Sequence, residues 1–135
     1  MESNIHIELV RKIIEYVEKR IPEANYKLIQ SDSNGNNSTI RVIGDYIPDV
    51  YYRYENLLVI GEAKTLNDFD KIHSREQFSA YLSELQLFDG DKQLIIAVPW
   101  QLTISVKNYF RRIKKNDDLK VTIVIINEWG KEMTI

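Results

Sequence analysis

Residues Ile47 to Lys64 read IPDVYYRYENLLVIGEAK, and the reading of this stretch decides the fold. Val50 to Tyr54 and Leu57 to Lys64 are extended runs rich in β-branched and aromatic residues, with a hairpin tip near Tyr54-Glu55-Asn56. Side chains alternate along a strand, so residues 58, 60, 62 and 64 share one face and 57, 59, 61 and 63 the other. Glu62 and Lys64 therefore project side by side where the apolar part of the strand ends. Asp49, following Pro48, lies 13 residues before Glu62, and the hairpin returns it to the same sheet edge. Two carboxylates and an ammonium can meet there. Hard divalent cations prefer carboxylate oxygens, and Mg²⁺ is usually held by one or two of them plus substrate phosphate. A carboxylate that follows Leu58-Val59-Ile60-Gly61 in a buried strand needs a partner or a cation. Each residue also has an ordinary reading. Asp is common in turns after proline, and Glu62 with Lys64 would make a solvated pair at a strand end.

Outward from this hairpin, the chain alternates between helical and extended periodicity. Ile5 to Ile21 reads as an amphipathic helix, with Val10, Ile13, Ile14, Val17 and Ile21 on one stripe and Pro22 as its stop. His6 falls within that stripe and Glu18 at its edge, while Glu8 and Glu15 turn outward. Tyr26 to Gln30 reads as a short strand, Ser31 to Ser38 as a polar loop, and Thr39 to Ile43 as extended, with a turn at Gly44-Asp45. Within the loop, Asn34-Gly35-Asn36-Asn37 reads as a flexible cover over a ligand or as a plain hairpin tip. Downstream, Ser74 reads as an N-cap with Gln77 three residues on. Phe78, Tyr81, Leu82, Leu85 and Phe88 follow at helical spacing, and Gly90 takes the place of a C-terminal cap. Lys92 to Val98 is a nearly continuous apolar run, the pattern of a strand covered on both faces. Thr103 to Lys115 is a further helix with Val106, Phe110 and Ile113 inward. Val121 to Ile126 is another buried strand, and residues 127–135 form a tail or edge strand. The expectation is one α/β domain over residues 1–135. Its central mixed sheet would have four to five strands flanked by helices, in the order helix, three strands, helix, strand, then helix and strand.

Composition narrows the chemistry. The 135 residues contain no cysteine, which excludes disulfides, zinc–thiolate sites and a cysteine nucleophile. Together with the lack of an evident signal peptide, this fits a reducing, cytoplasmic compartment. No run approaches the roughly 18 apolar residues of a membrane span. No P-loop, Rossmann glycine pattern or nucleophile elbow is present. The net charge is −2, so nucleic acid would have to be held by a local basic feature or by an assembly. Lys107, Arg111, Lys114 and Lys115, at i, i+4, i+7 and i+8, offer a basic stripe for phosphate contact or simply a solvated helix face. His73 reads as a surface histidine.

Pro48-Asp49 followed by Glu62-Ala63-Lys64 resembles the signature of the PD-(D/E)xK nuclease superfamily. The helix–strands–helix–strand order over about residues 5–98 resembles its restriction-endonuclease-like core. Gln77-Phe-Ser-Ala-Tyr81 is similar to the Gln-x-x-x-Tyr motif of RecB-like members, while the size and the Asp-to-Glu spacing resemble the Holliday-junction resolvases. The resemblance implies a Mg²⁺-dependent DNA nuclease, with Mn²⁺ as a substitute metal. Asp49, Glu62 and the carbonyl of Ala63 would hold the metal. Lys64 would orient the attacking water or stabilise charge, and Gln77 and Tyr81 would position the site and the DNA. The resolvase likeness implies a homodimer. The superfamily also carries an acid on its first helix, where this chain offers Glu8, Glu15, Glu18 and His6.

Overall fold

The computed structural model describes residues 4–31, 40–69 and 72–135. In chain order its elements are α1 (Asn4–Glu18), β1 (Val50–Tyr54), β2 (Leu57–Ala63), α2 (Ile72–Leu87), β3 (Asp91–Ala97), α3 (Thr103–Asp117), β4 (Thr122–Ile126) and β5 (Glu132–Thr134). The strands form a five-stranded sheet in the order β1-β2-β3-β4-β5. β2, β3 and β4 run parallel, and β1 and β5 are antiparallel edges. The protein is thus an α/β fold with a mixed sheet flanked by helices. No helix among the described residues is long and apolar enough to cross a membrane.

Strand alternation splits the core into two layers. Leu58, Ile60, Leu94, Ile96, Ile123 and Ile125 pack with Phe78, Tyr81 and Leu85 of α2 and with Val106 and Phe110 of α3. Val59, Ala63, Ile95, Ala97, Val124 and Ile126 pack against Leu9, Val10, Ile13, Ile14 and Val17 of α1. Helices therefore cover both faces, which is why β3 and β4 read as continuous apolar runs. Each fully buried Leu or Ile stabilises the fold by about 1.5–3 kcal/mol relative to exposure.

Gly61 sets how closely α1 approaches the sheet. A Cβ on Gly61 would lie 2.6 Å from Ile13 Cγ2 and 3.2 Å from Val50 Cβ. With only a hydrogen there, α1 settles onto β2, and its first turn reaches the end of the strand.

Several local expectations are corrected. Tyr26 to Gln30 is not a strand: Glu23–Leu28 forms a 3₁₀ turn, and only Gln30 pairs, through a single bridge to Tyr51. Among the described residues, two strands rather than three therefore precede α2. Of the stretch expected to be extended before the hairpin, Ile43 makes one bridge to Tyr46 around Gly44 at φ 61°. The Asn34–Asn37 segment, and Thr39, lie outside the described residues. α1 ends at Glu18 rather than Ile21, since proline disfavours helix in the residue before it. Ser74 is not a cap, because α2 begins earlier, at Ile72, and the Ser74 hydroxyl donates to the carbonyl of Asp68. Gly90 is not a left-handed cap, since among the described residues only Gly44 and Gly130 are glycines with positive φ. It is glycine because a Cβ there would stand 2.5 Å from the Asn56 carbonyl oxygen.

Candidate functional site

The site forms where the β1–β2 hairpin opens. Val50 pairs with Gly61, so the next positions outward, Asp49 and Glu62, are neighbours across the two strands. The Asp49 backbone N–H points to Glu62 Oε1 at 3.4 Å. Asp49 Oδ2 accepts the Ala63 N–H at 2.9 Å. Lys64 continues β2, its N–H donating to the Ala97 carbonyl at 2.9 Å, and its Nζ lies 3.7 Å from Glu62 Oε2. Asp49, Glu62 and Lys64, separated in the chain, are thus brought to one place.

α2 supplies the next layer. The Tyr81 hydroxyl donates to Glu62 Oε1 at 3.0 Å, and Gln77 Nε2 donates to that hydroxyl at 3.0 Å. One helical turn separates Gln77 from Tyr81, so both face the same way. Gln77 does not bond back toward Ser74 as a capping box would. Its Oε1 is buried without a hydrogen-bond partner.

α1 supplies a residue that the sequence left among four alternatives. His6 Nε2 lies 3.2 Å from Asp49 Oδ2. Glu8, Glu15 and Glu18 are all exposed. Glu8 pairs with Arg11, and Glu15 lies 3.7 Å from Lys12. Of these four, the imidazole is the group seen beside Asp49, made possible by the close approach at Gly61.

The electrostatics follow from burial. Glu62 is 5% exposed and Lys64 8%, whereas the side chains of His6 and Asp49 are 16% and 17% exposed. The cluster opens to solvent on the Asp49 side. Burial drives the Glu62 carboxyl well above its ordinary range, Asp49 adds to the rise, and Lys64 opposes it. Burial, reinforced by the Glu62 charge, also raises Tyr81 far above an ordinary phenol, so its hydroxyl keeps its proton and serves as a donor. A buried carboxyl beside a second carboxylate either binds a proton or needs more positive charge than one lysine supplies. Among the described residues, no three of His, Cys, Asp and Glu gather as a group that could by itself hold a metal ion. Asp49 and Glu62 are the residues here whose oxygens could hold a cation that keeps several waters, as Mg²⁺ does.

The other sequence candidates sit elsewhere. Lys114 Nζ is drawn to the Ile135 carbonyl at 3.0 Å, which ties it to the C-terminal edge. Arg111 and Lys115 are exposed and Lys107 is half-buried. Arg111 lines a cleft that also contains Arg75 and Arg112, two cations missed in the sequence. The available signal was Ser105, Asn108 and Arg112 at i, i+3 and i+7 on one face of α3. His73 is exposed, with its ring edge-on to Tyr46 at 5.3 Å. Comparison with protein-family models, curated proteins and solved structures finds no match to this chain.

Proposed function

We propose that this chain is a Mg²⁺-dependent DNA nuclease of the PD-(D/E)xK type, on a restriction-endonuclease-like core. The observation that supports it most is the convergence of Asp49, Glu62 and Lys64 at one sheet edge, with Lys64 Nζ 3.7 Å from Glu62 Oε2. Asp49, Glu62 and the Ala63 carbonyl would hold the cation. When bound, the metal would supply Lewis-acid polarisation of the scissile phosphate and an acidified water. Lys64 would stabilise negative charge developing on the phosphoryl oxygens. Tyr81 fixes the orientation of the Glu62 carboxylate, and the free Gln77 oxygen would accept a hydrogen bond from a water in the site. DNA is the proposed partner. A second copy of the chain would complete the channel across an otherwise acidic protein.

The test is incubation of plasmid, linear duplex, single strand and four-way junction with the protein and Mg²⁺. Replacing Lys64 by alanine is expected to lower the cleavage rate by roughly 100-fold or more with unchanged circular dichroism. An unchanged rate would reject the mechanism.

A second reading, a non-catalytic nucleic-acid-binding or assembly subunit, draws on a specific feature. Asp49 Oδ2 already accepts the Ala63 N–H and faces His6. That reading requires no heat on titration with Mn²⁺ and full DNA affinity in Asp49→Asn.

A further inference from the structure

We propose that the cleft between α2 and α3 around Arg75, Arg111 and Arg112 grips the sugar–phosphate backbone of nucleic acid at a distance from the carboxylate site; the identity of this ligand rests on the nuclease reading. The cleft has a volume of about 590 Å³, and Ser105, Asn108 and Tyr109 also line it. Among the described residues, none of those lining it is acidic.

Its charge is unusual for this chain. The protein is net negative, and several cations elsewhere are paired, among them Arg11 with Glu8, Arg20 with Glu132, Arg41 with Glu84, and Lys120 with Asp118. Arg75, Arg111 and Arg112 are exposed and have no carboxylate partner among the described residues. Arg75 comes from the start of α2, and the other two come from the middle of α3. Arg75 and Arg112 both act on the Tyr109 phenol, lowering a pKa that burial raises. The two guanidiniums thus line the same cleft as Tyr109 from different helices.

Unpaired guanidiniums beside hydroxyl and amide donors match a phosphate. The planar fork meets two phosphate oxygens at once, and Ser105 and Asn108 can bond a third. Placement supports a polymeric ligand. β2 and β3 are parallel, so α2 and α3 both begin beyond the strand ends where Glu62 and Lys64 lie. Arg75 stands two residues before Gln77 on α2. α2 thus adjoins both, through Gln77 and Tyr81 at the carboxylate site and through Arg75 at the cleft. A strand crossing this end of the sheet can touch both.

The test uses the full chain and a fluorescein-labelled duplex, with Ca²⁺ replacing Mg²⁺ to hold back cleavage. Affinity is read by anisotropy over a range of salt. Arg75→Ala/Arg112→Ala is expected to bind roughly tenfold more weakly, with a log–log salt slope shallower by about two. The control, Lys19→Ala/Lys27→Ala, removes the same charge from exposed positions on the far side and should keep the wild-type slope. Arg112→Glu should weaken binding further than Arg112→Ala. Equal losses in the arginine and control variants would overturn the cleft, as would an unchanged slope in the arginine variant or a wild type that binds no duplex. Cleavage assays with Mg²⁺ separate the two ideas. Wild-type cleavage with arginine-independent binding removes the cleft and keeps the nuclease. Arginine-dependent binding without cleavage keeps the cleft and removes the nuclease.

Discussion

The hydroxyl of Tyr81 donates to Oε1 of Glu62 at 3.0 Å, joining the middle of α2 to the end of β2. Tyr81 is 0% exposed, so this bond has no competition from bulk water. The helix thereby sets the orientation of the carboxylate, and the Gln77 amide holds the hydroxyl in turn.

Tyr81→Phe keeps the ring and removes only that oxygen. It leaves a buried Gln77 donor and a buried Glu62 oxygen each short of a partner, which costs about 1–3 kcal/mol. Urea denaturation should show that loss with an unchanged m-value. If the proposed metal site holds, Mn²⁺ affinity should fall roughly tenfold, as when outer partners of metal ligands are removed. Wild-type stability in Tyr81→Phe would show that the network has no energetic role.

Glu62 makes the stability of the metal-free protein depend on pH. Its folded pKa is raised by burial and then by Asp49 above an ordinary 4.5. The native state thus keeps a proton that the unfolded chain releases. Stability from this group is complete below the unfolded value and is lost as pH rises through the folded one. The metal-free wild type should therefore weaken from mildly acid to neutral pH. Glu62→Gln should remove that slope and be the more stable protein at neutral pH. Added Mn²⁺ should stabilise the wild type alone. A Glu62→Gln protein less stable than wild type at neutral pH, without metal, would contradict this account.

The hairpin and its charged residues were legible because their signals are short-range. Alternation along Leu57–Ala63 puts Glu62 on the α2 side, and the spacing to Asp49 suits a tight turn. β3 and β4 were legible because burial on two faces leaves no polar residue in Leu94–Ala97 or Ile123–Ile126. The errors arose where tertiary contacts decide. Tyr26 to Gln30 has the composition of a strand, but Tyr26 and Leu28 are 40% and 45% exposed, with Ile29 alone between Leu28 and Gln30 fully buried. Ser74 looks like a cap until its hydroxyl is seen to bond the Asp68 carbonyl. Gly90 looks like a helix terminator, yet its constraint is the Asn56 carbonyl across the sheet end. His6 could not be chosen over the helix acids, because only the approach of α1 to Gly61 brings it to Asp49.

His6 stands beside Asp49 Oδ2 at 3.2 Å, so its removal should loosen that carboxylate without opening the core. His6→Ala is expected to change the urea midpoint little, because the side chain is partly exposed. Mn²⁺ affinity measured by calorimetry should fall roughly tenfold, and DNA affinity in Ca²⁺ should hold. Unaltered Mn²⁺ affinity would mean that Asp49 needs no imidazole to be positioned.

Gly61 offers the sharpest structural test, because its restriction comes from packing and not from an unusual φ. An added Cβ would lie 2.6 Å from Ile13 Cγ2, and Ile13 is 0% exposed, so neither partner can yield freely. Gly61→Ala should cost about 1–3 kcal/mol as overpacking, and by lifting α1 it should also weaken Mn²⁺ binding through His6. Ile13→Ala alone should cost about 2–5 kcal/mol for the cavity it leaves. In the double variant the new methyl enters the space that Ile13 vacates. The combined loss should then be smaller than the sum of the two single losses, giving a coupling of about 0.5–3 kcal/mol. Simple additivity in urea denaturation would mean that α1 does not rest on Gly61, and the placement of His6 would lose its physical basis.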